Sequence, residues 1–142
     1  RTFEAAAVLR RLGADTVEVK RLLQHDFDET KYMHELMNAA QMYSHEIAIV
    51  AQDKSIPRPL AAQVADELLN ISGISASFVM FPDENRVIIS ARSIGKANVQ
   101  VILEPLGGGG NTATAGAQIA DSTVKDVLDR LVESIDKFYE LY

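Results

Sequence analysis

The stretch Ile74-Ser75-Ala76-Ser77-Phe78-Val79-Met80-Phe81, then Pro82-Asp83-Glu84-Asn85, then Arg86-Val87-Ile88-Ile89-Ser90-Ala91 decides the fold. Two runs rich in β-branched and aromatic residues flank a tetrad of turn formers, which predicts an antiparallel hairpin. Upstream, Glu46-Ile47-Ala48-Ile49-Val50-Ala51 is short, apolar and β-branched, and reads as another strand. Pro57 and Pro59 mark the loop that follows. Pro59 stands where a first helical residue tolerates a missing N–H. A helix then runs through Leu60, Val64, Leu68 and Leu69 and stops near Ser72-Gly73.

Downstream of the hairpin, Asn98 can cap a short helix from Val99 to Leu103, which Pro105 interrupts. Four glycines follow, Gly107 to Gly110, and then Ala113 to Ile119 as a short strand. Ser122 or Thr123 caps the last helix, whose stripe is Val124, Val127, Leu128, Leu131, Ile135 and Phe138. Strands alternating with helices around one hairpin suit an α/β domain with a mixed β-sheet and flanking helices over 45–142.

The first 44 residues read differently. Thr2 caps a helix with Phe3, Ala6, Ala7 and Leu9 on one face, ended by Gly13. Asp15 or Thr16 starts a second helix, Val17 to Gln24, with Val19, Leu22 and Leu23 as its stripe. Asp28 starts a third, with Tyr32, Met33, Leu36, Met37 and Ala40. Residues 1–44 thus read as a helical connector. The chain opens on Arg1 in the middle of a helical pattern, so the expectation is a piece of a longer protein with a domain upstream.

Composition narrows the function classes. With 47% hydrophobic residues in 142, the chain can bury a core. A net charge of −6 argues against broad nucleic-acid binding, which needs a basic face to displace counterions. It leaves room for one small phosphorylated ligand at a local cationic or amide-lined spot. The absence of cysteine excludes disulfides and thiolate zinc sites, and a cytoplasmic setting is expected. No apolar run approaches the roughly 18 residues a membrane helix needs, so direct membrane contact is not expected.

Four consecutive glycines lose more backbone freedom on ordering than any other tetrapeptide. Such a cost fits a place where backbone comes very close to something, with bare amides aimed at phosphate oxygens in a nest. A flexible linker is the plain alternative, but the run lacks serine and continues into Asn111, Thr112, Ala113, Thr114, Ala115 and Gly116. At the end of the hairpin, Arg92 offers a planar fork suited to phosphate, and Ser90 and Ser93 offer hydroxyls. His25, His34 and His45 are scattered without ligand spacing, so no metal is expected here. Asp26, Asp28 and Glu29 are more simply helix-start residues. No nucleophile triad stands out, so no catalytic residue is assigned.

Taken together, Ile88-Ile89-Ser90-Ala91-Arg92-Ser93, Asn98-Val99-Gln100-Val101-Ile102-Leu103, Gly107 to Gly110 and Ala115-Gly116-Ala117-Gln118 resemble the DHHA1 domain of DHH-family phosphoesterases. The opening Arg1-Thr2-Phe3-Glu4 and Leu9 to Asp15 resemble the connector in cyclic-di-AMP phosphodiesterases of the GdpP type. The resemblance implies a division of labour. An upstream DHH domain would hold two manganese ions and activate water, and this chain, inactive by itself, would hold the cyclic dinucleotide against that centre. It also implies a substrate-binding set of Ser90, Arg92, Ser93, Gly108, Gly109, Gly110 and Asn111. The family pattern is three glycines and a histidine, whereas Asn111 stands at the histidine position with a neutral amide. Two alternatives stand beside this reading: a nanoRNase-like or exonuclease domain for short oligonucleotides and, motivated by that exchange, a nucleotide sensor without turnover. Expected partners are the nucleotide, the upstream DHH domain of the same chain and a second copy; the resemblance also allows a membrane anchor in an N-terminal region of the full-length protein.

Overall fold

A computed structural model of the chain describes residues 16–23 and 27–142. The expected helix from Thr2 to Gly13 lies outside them, as do the side chains of the stripe expected on the second helix. Two compact units are present, Arg1–Tyr32 and Met33–Tyr142. In the first, the described helix is α1, Thr16–Leu23. Helix α2 runs Phe27–Asn38, and its Leu36 is fully buried. It ends before Ala40, the last residue of the expected stripe. No helix among the described residues is long and apolar enough to cross a membrane.

The second unit is built on a six-stranded sheet. In chain order its elements are β1 (Gln41–Tyr43), β2 (Ile47–Ala51), α3 (Arg58–Leu68), β3 (Ala76–Asp83), β4 (Arg86–Ser93), α4 (Val99–Leu103), β5 (Gly109–Gly110), β6 (Thr114–Ala120) and α5 (Val124–Leu141). The spatial order is β1-β2-β3-β4-β6-β5. Only β2 and β3 run parallel, and α3 makes the crossover such a pair requires. The sheet is therefore mixed with flanking helices, as the sequence predicts.

The hairpin is longer and tighter than expected. Pairing continues through Pro82↔Val87 and Asp83↔Arg86, so the turn is Glu84-Asn85 alone. Glu84 takes the left-handed φ of 56° that a two-residue turn needs. Strand β1 is unexpected: it pairs with β2 through a three-residue turn, Ser44–Glu46. His45 (φ 66°) and Glu46 (φ 62°) are both left-handed, at a cost of about 1–2 kcal/mol each for such residues. The His45 ring lies flat on Tyr139 of α5, centroids 3.7 Å apart, and such contacts return about 0.5–1.5 kcal/mol.

The two faces of the sheet are covered unequally. Ile47, Ile49, Phe78, Met80, Val87, Ile89 and Ala91 join α4 and α5 in one continuous core. Fully burying each large aliphatic side chain there stabilises the fold by about 1.5–3 kcal/mol. Asn98 caps α4 by accepting from the Val101 N–H, and Thr123 caps α5 by accepting from Asp126. The opposite face carries Ser77, Val79, Phe81 and Asp83 of β3, which meet α3. The buried Ser77 hydroxyl donates to the Ala65 carbonyl at 2.6 Å and ties helix to sheet.

Candidate functional site

On this second face α3 stops short of β6 and β5. Beside its first residue lies a cleft of about 390 Å³, lined by Arg58, Ile88, Ile89, Ser90, Gly107, Gly108, Gly109, Gly116, Ala117 and Gln118. Its floor is a row across three strands, because Ser90 pairs with Gly116 and Gly116 with Gly109. One hydroxyl and two glycines in register leave a bare trough. A second groove of about 320 Å³ lies against α5, lined by Val101, Leu106, Phe138 and Leu141 among others, and contains none of the expected site residues.

Two of the four glycine amides are engaged within the chain and are not free for the nest expected from the sequence. The Gly107 N–H donates to Glu104, Gly108 to Leu103 and Asn111 to Thr114, all backbone carbonyls at 2.7–2.9 Å. Gly109 and Gly110 form edge strand β5, although glycine is a poor strand former. Close packing explains most of the run. Gly107 ends a short 3₁₀ turn with φ 83°. A Cβ on Gly108 would come within 2.7 Å of the Gly116 carbonyl, and one on Gly110, at φ 146°, would run into Thr114 and Ala115. Gly109 is the exception: a Cβ there would meet nothing within 4 Å. Nothing described in this chain requires Gly109 to be bare.

The other expected residues are placed around the cleft rather than in it. Arg92 lies two residues beyond Ser90 on the same face of β4. Its Nε donates to Asp66 of α3 at 3.0 Å and its Nη1 to the Ala91 carbonyl at 2.9 Å. Ser93 pairs with the core residue Ala76, is buried, and accepts from the Gly95 N–H. It is turned to the opposite face. Asn111 closes the turn between β5 and β6, its Oδ1 accepting from the Ala113 and Thr114 N–H groups at 2.9 Å each. Gly110 packs beside it.

Arg58 and Gln118 line the cleft and were not singled out from the sequence. Arg58 donates to Asp83 at 3.4 Å; Arg86 lies 3.6 Å from the same carboxylate and donates to Gln118 Oε1 at 3.0 Å. Among the lining residues Arg58 alone is charged. Among the described residues no three His, Asp or Glu side chains converge on a metal position.

The DHHA1 domain model matches residues 38–141, and the chain belongs to that domain family. It is 39% identical over 143 residues to the cyclic-di-AMP phosphodiesterase PdeA of Listeria monocytogenes serotype 1/2a (strain 10403S). It is 44% identical over 143 residues to the cyclic-di-AMP phosphodiesterase GdpP of Geobacillus thermodenitrificans (strain NG80-2). In both cases 99% of this chain aligns, and it spans only 22% of the relative's length. Among solved structures, an exopolyphosphatase-related protein from Bacteroides fragilis superposes with a TM-score of 0.77 at 17% identity, covering 98% of this chain and 44% of that one.

Proposed function

We propose that this chain is the nucleotide-holding part of a metal-dependent phosphodiesterase that hydrolyses cyclic dinucleotides, cyclic-di-AMP in particular. One observation carries the reading: the Ser90–Gly116–Gly109 row, in which Gly109 is bare without any packing reason in the described chain. A floor with a hydroxyl and no side-chain bulk lets a flat base or a phosphate lie directly on backbone. Three of the relatives that align along 99% of the chain carry the cyclic-di-AMP phosphodiesterase name, which supports the substrate.

In this proposal Ser90, Gly108 and Gly109 touch the ligand. Gly110 and Asn111 hold the loop in shape, and Arg92 and Ser93 brace the sheet end beside it. In this proposal residues 1–44 connect to an upstream DHH domain on the cytoplasmic side, whose own residues would hold manganese, and that metal would supply an activated water. Without that domain the chain hydrolyses nothing. The test is hydrolysis of cyclic-di-AMP by the longer protein that contains this chain, with Gly109→Val compared to wild type. The expected result is loss of most turnover at unchanged manganese content; undiminished turnover would refute the assignment. Faster hydrolysis of a linear dinucleotide than of the cyclic one would instead make the protein an oligonucleotide-degrading enzyme.

A further inference from the structure

Two of the four glycine amides are already engaged by the Glu104 and Leu103 carbonyls, and amides carry no net charge, so an anion in the cleft needs its counter-charge from elsewhere. The residue the sequence suggests for this, Arg92, has two of its guanidinium nitrogens engaged by Asp66 and the Ala91 carbonyl, and it does not line the cleft. Arg58 does line it, with about half of its side chain exposed.

Arg58 is also poorly satisfied where it stands. It is the first residue of α3, at the positive end of the helix dipole, where a cation is disfavoured. The first turn of α3 holds no acidic residue to compensate. Its partner among the described residues, Asp83, sits at 3.4 Å and is shared with Arg86, so these three charges sum to one positive charge at the cleft mouth. Arg86 is fixed on its other side by Gln118. Asp83 would therefore keep a cationic partner if Arg58 let go of it.

We infer that Arg58 is the phosphate-binding residue of this cleft, exchanging Asp83 for the ligand's phosphate while Arg86 stays on Asp83. This rests on the cleft being the nucleotide site, as proposed above. Guanidinium on phosphate is a charge-assisted, two-pronged contact, so its loss is expected to be large.

The test is calorimetric titration of the 142-residue chain with cyclic-di-AMP, with backbone amide shifts followed by NMR. Arg58→Ala is expected to weaken binding about tenfold or more, with the gap to wild type narrowing as salt is raised. Arg58→Gln, which keeps a donor for Asp83 and so protects the fold, is expected to lose affinity in the same way. Arg92→Ala should lose much less. If wild type shifts Ser90 and Gly109 while both Arg58 variants bind as tightly, Arg58 is not the phosphate contact and the cleft assignment stands. If wild type shifts neither Ser90 nor Gly109, the cleft assignment falls and this inference with it.

Discussion

Ser90 stands directly opposite Gly116 in the β4–β6 ladder, and Gly116 stands opposite Gly109 in turn. The arrangement separates glycines that packing requires from Gly109, which it does not require. Gly108→Ala drives a methyl against the Gly116 carbonyl and should destabilise the domain by about 1–3 kcal/mol. Gly109→Ala meets open space and should melt within a degree or two of wild type, yet lose nucleotide affinity. Thermal melts and titrations of the two variants side by side check this. A Gly109→Ala protein that binds normally removes the reason for its bareness.

Arg92 and Asp66 form an ion pair in which Arg92 is mostly covered and Asp66 mostly exposed. Asp66→Ala should cost about 0.5–1 kcal/mol in urea unfolding, because an exposed partner adds little. Arg92→Ala should cost somewhat more, since its side chain is mostly covered. Equal nucleotide affinity in both variants is expected if the pair braces the sheet end rather than touching ligand.

The turn from β1 to β2 stores strain at His45 and Glu46 and is held by the His45–Tyr139 stack. His45→Ala keeps the left-handed φ and loses the ring, so it should destabilise by about 1 kcal/mol. His45→Gly loses the ring but relieves the backbone, so it should destabilise less. Chemical denaturation of both variants gives the ordering, and the opposite ordering would mean the turn is not strained.

Burial, and secondarily the negative charge of Glu46, raise the Tyr139 phenol above the usual 10.0. The folded state thus holds this proton more tightly than the unfolded chain does. The associated stability is fully present below about pH 10 and is lost as pH rises through the folded value. Stability should fall with increasing alkalinity more steeply in wild type than in Tyr139→Phe. In Glu46→Gln the phenol should titrate lower than in wild type but still above its usual value, as phenolate absorbance would record.

Much of this fold is written locally. The hairpin strands show in the β-branched runs around Asp83-Glu84-Asn85, and the Asn98 and Thr123 caps act within three residues of themselves. Strand β1 was not legible, because its turn uses His45 and Glu46 rather than the glycine or asparagine that announces a left-handed turn. Strand β5 was not legible either: two glycines become a strand only because β6 is there to pair with. At the site, the glycine run and Ser90 could be picked out by type. Arg58 could not, since a lone arginine between two prolines carries no pattern. It reaches the cleft through the β2–α3–β3 crossover, which brings the start of α3 beside β4 and β6. Arg92 is adjacent to Ser90 in sequence spacing, but Asp66, 26 residues away, takes its guanidinium.

We propose that the trough over Ser90, Gly116 and Gly109 holds the nucleotide. The most direct measurement is an amide and methyl chemical-shift map of the 142-residue chain during titration with cyclic-di-AMP. Saturable shifts are expected to concentrate at Ser90, Gly108, Gly109, Gly116 and Ile88, with the groove against α5 undisturbed. Saturable shifts centred instead on Val101, Leu106 and Phe138 would contradict it.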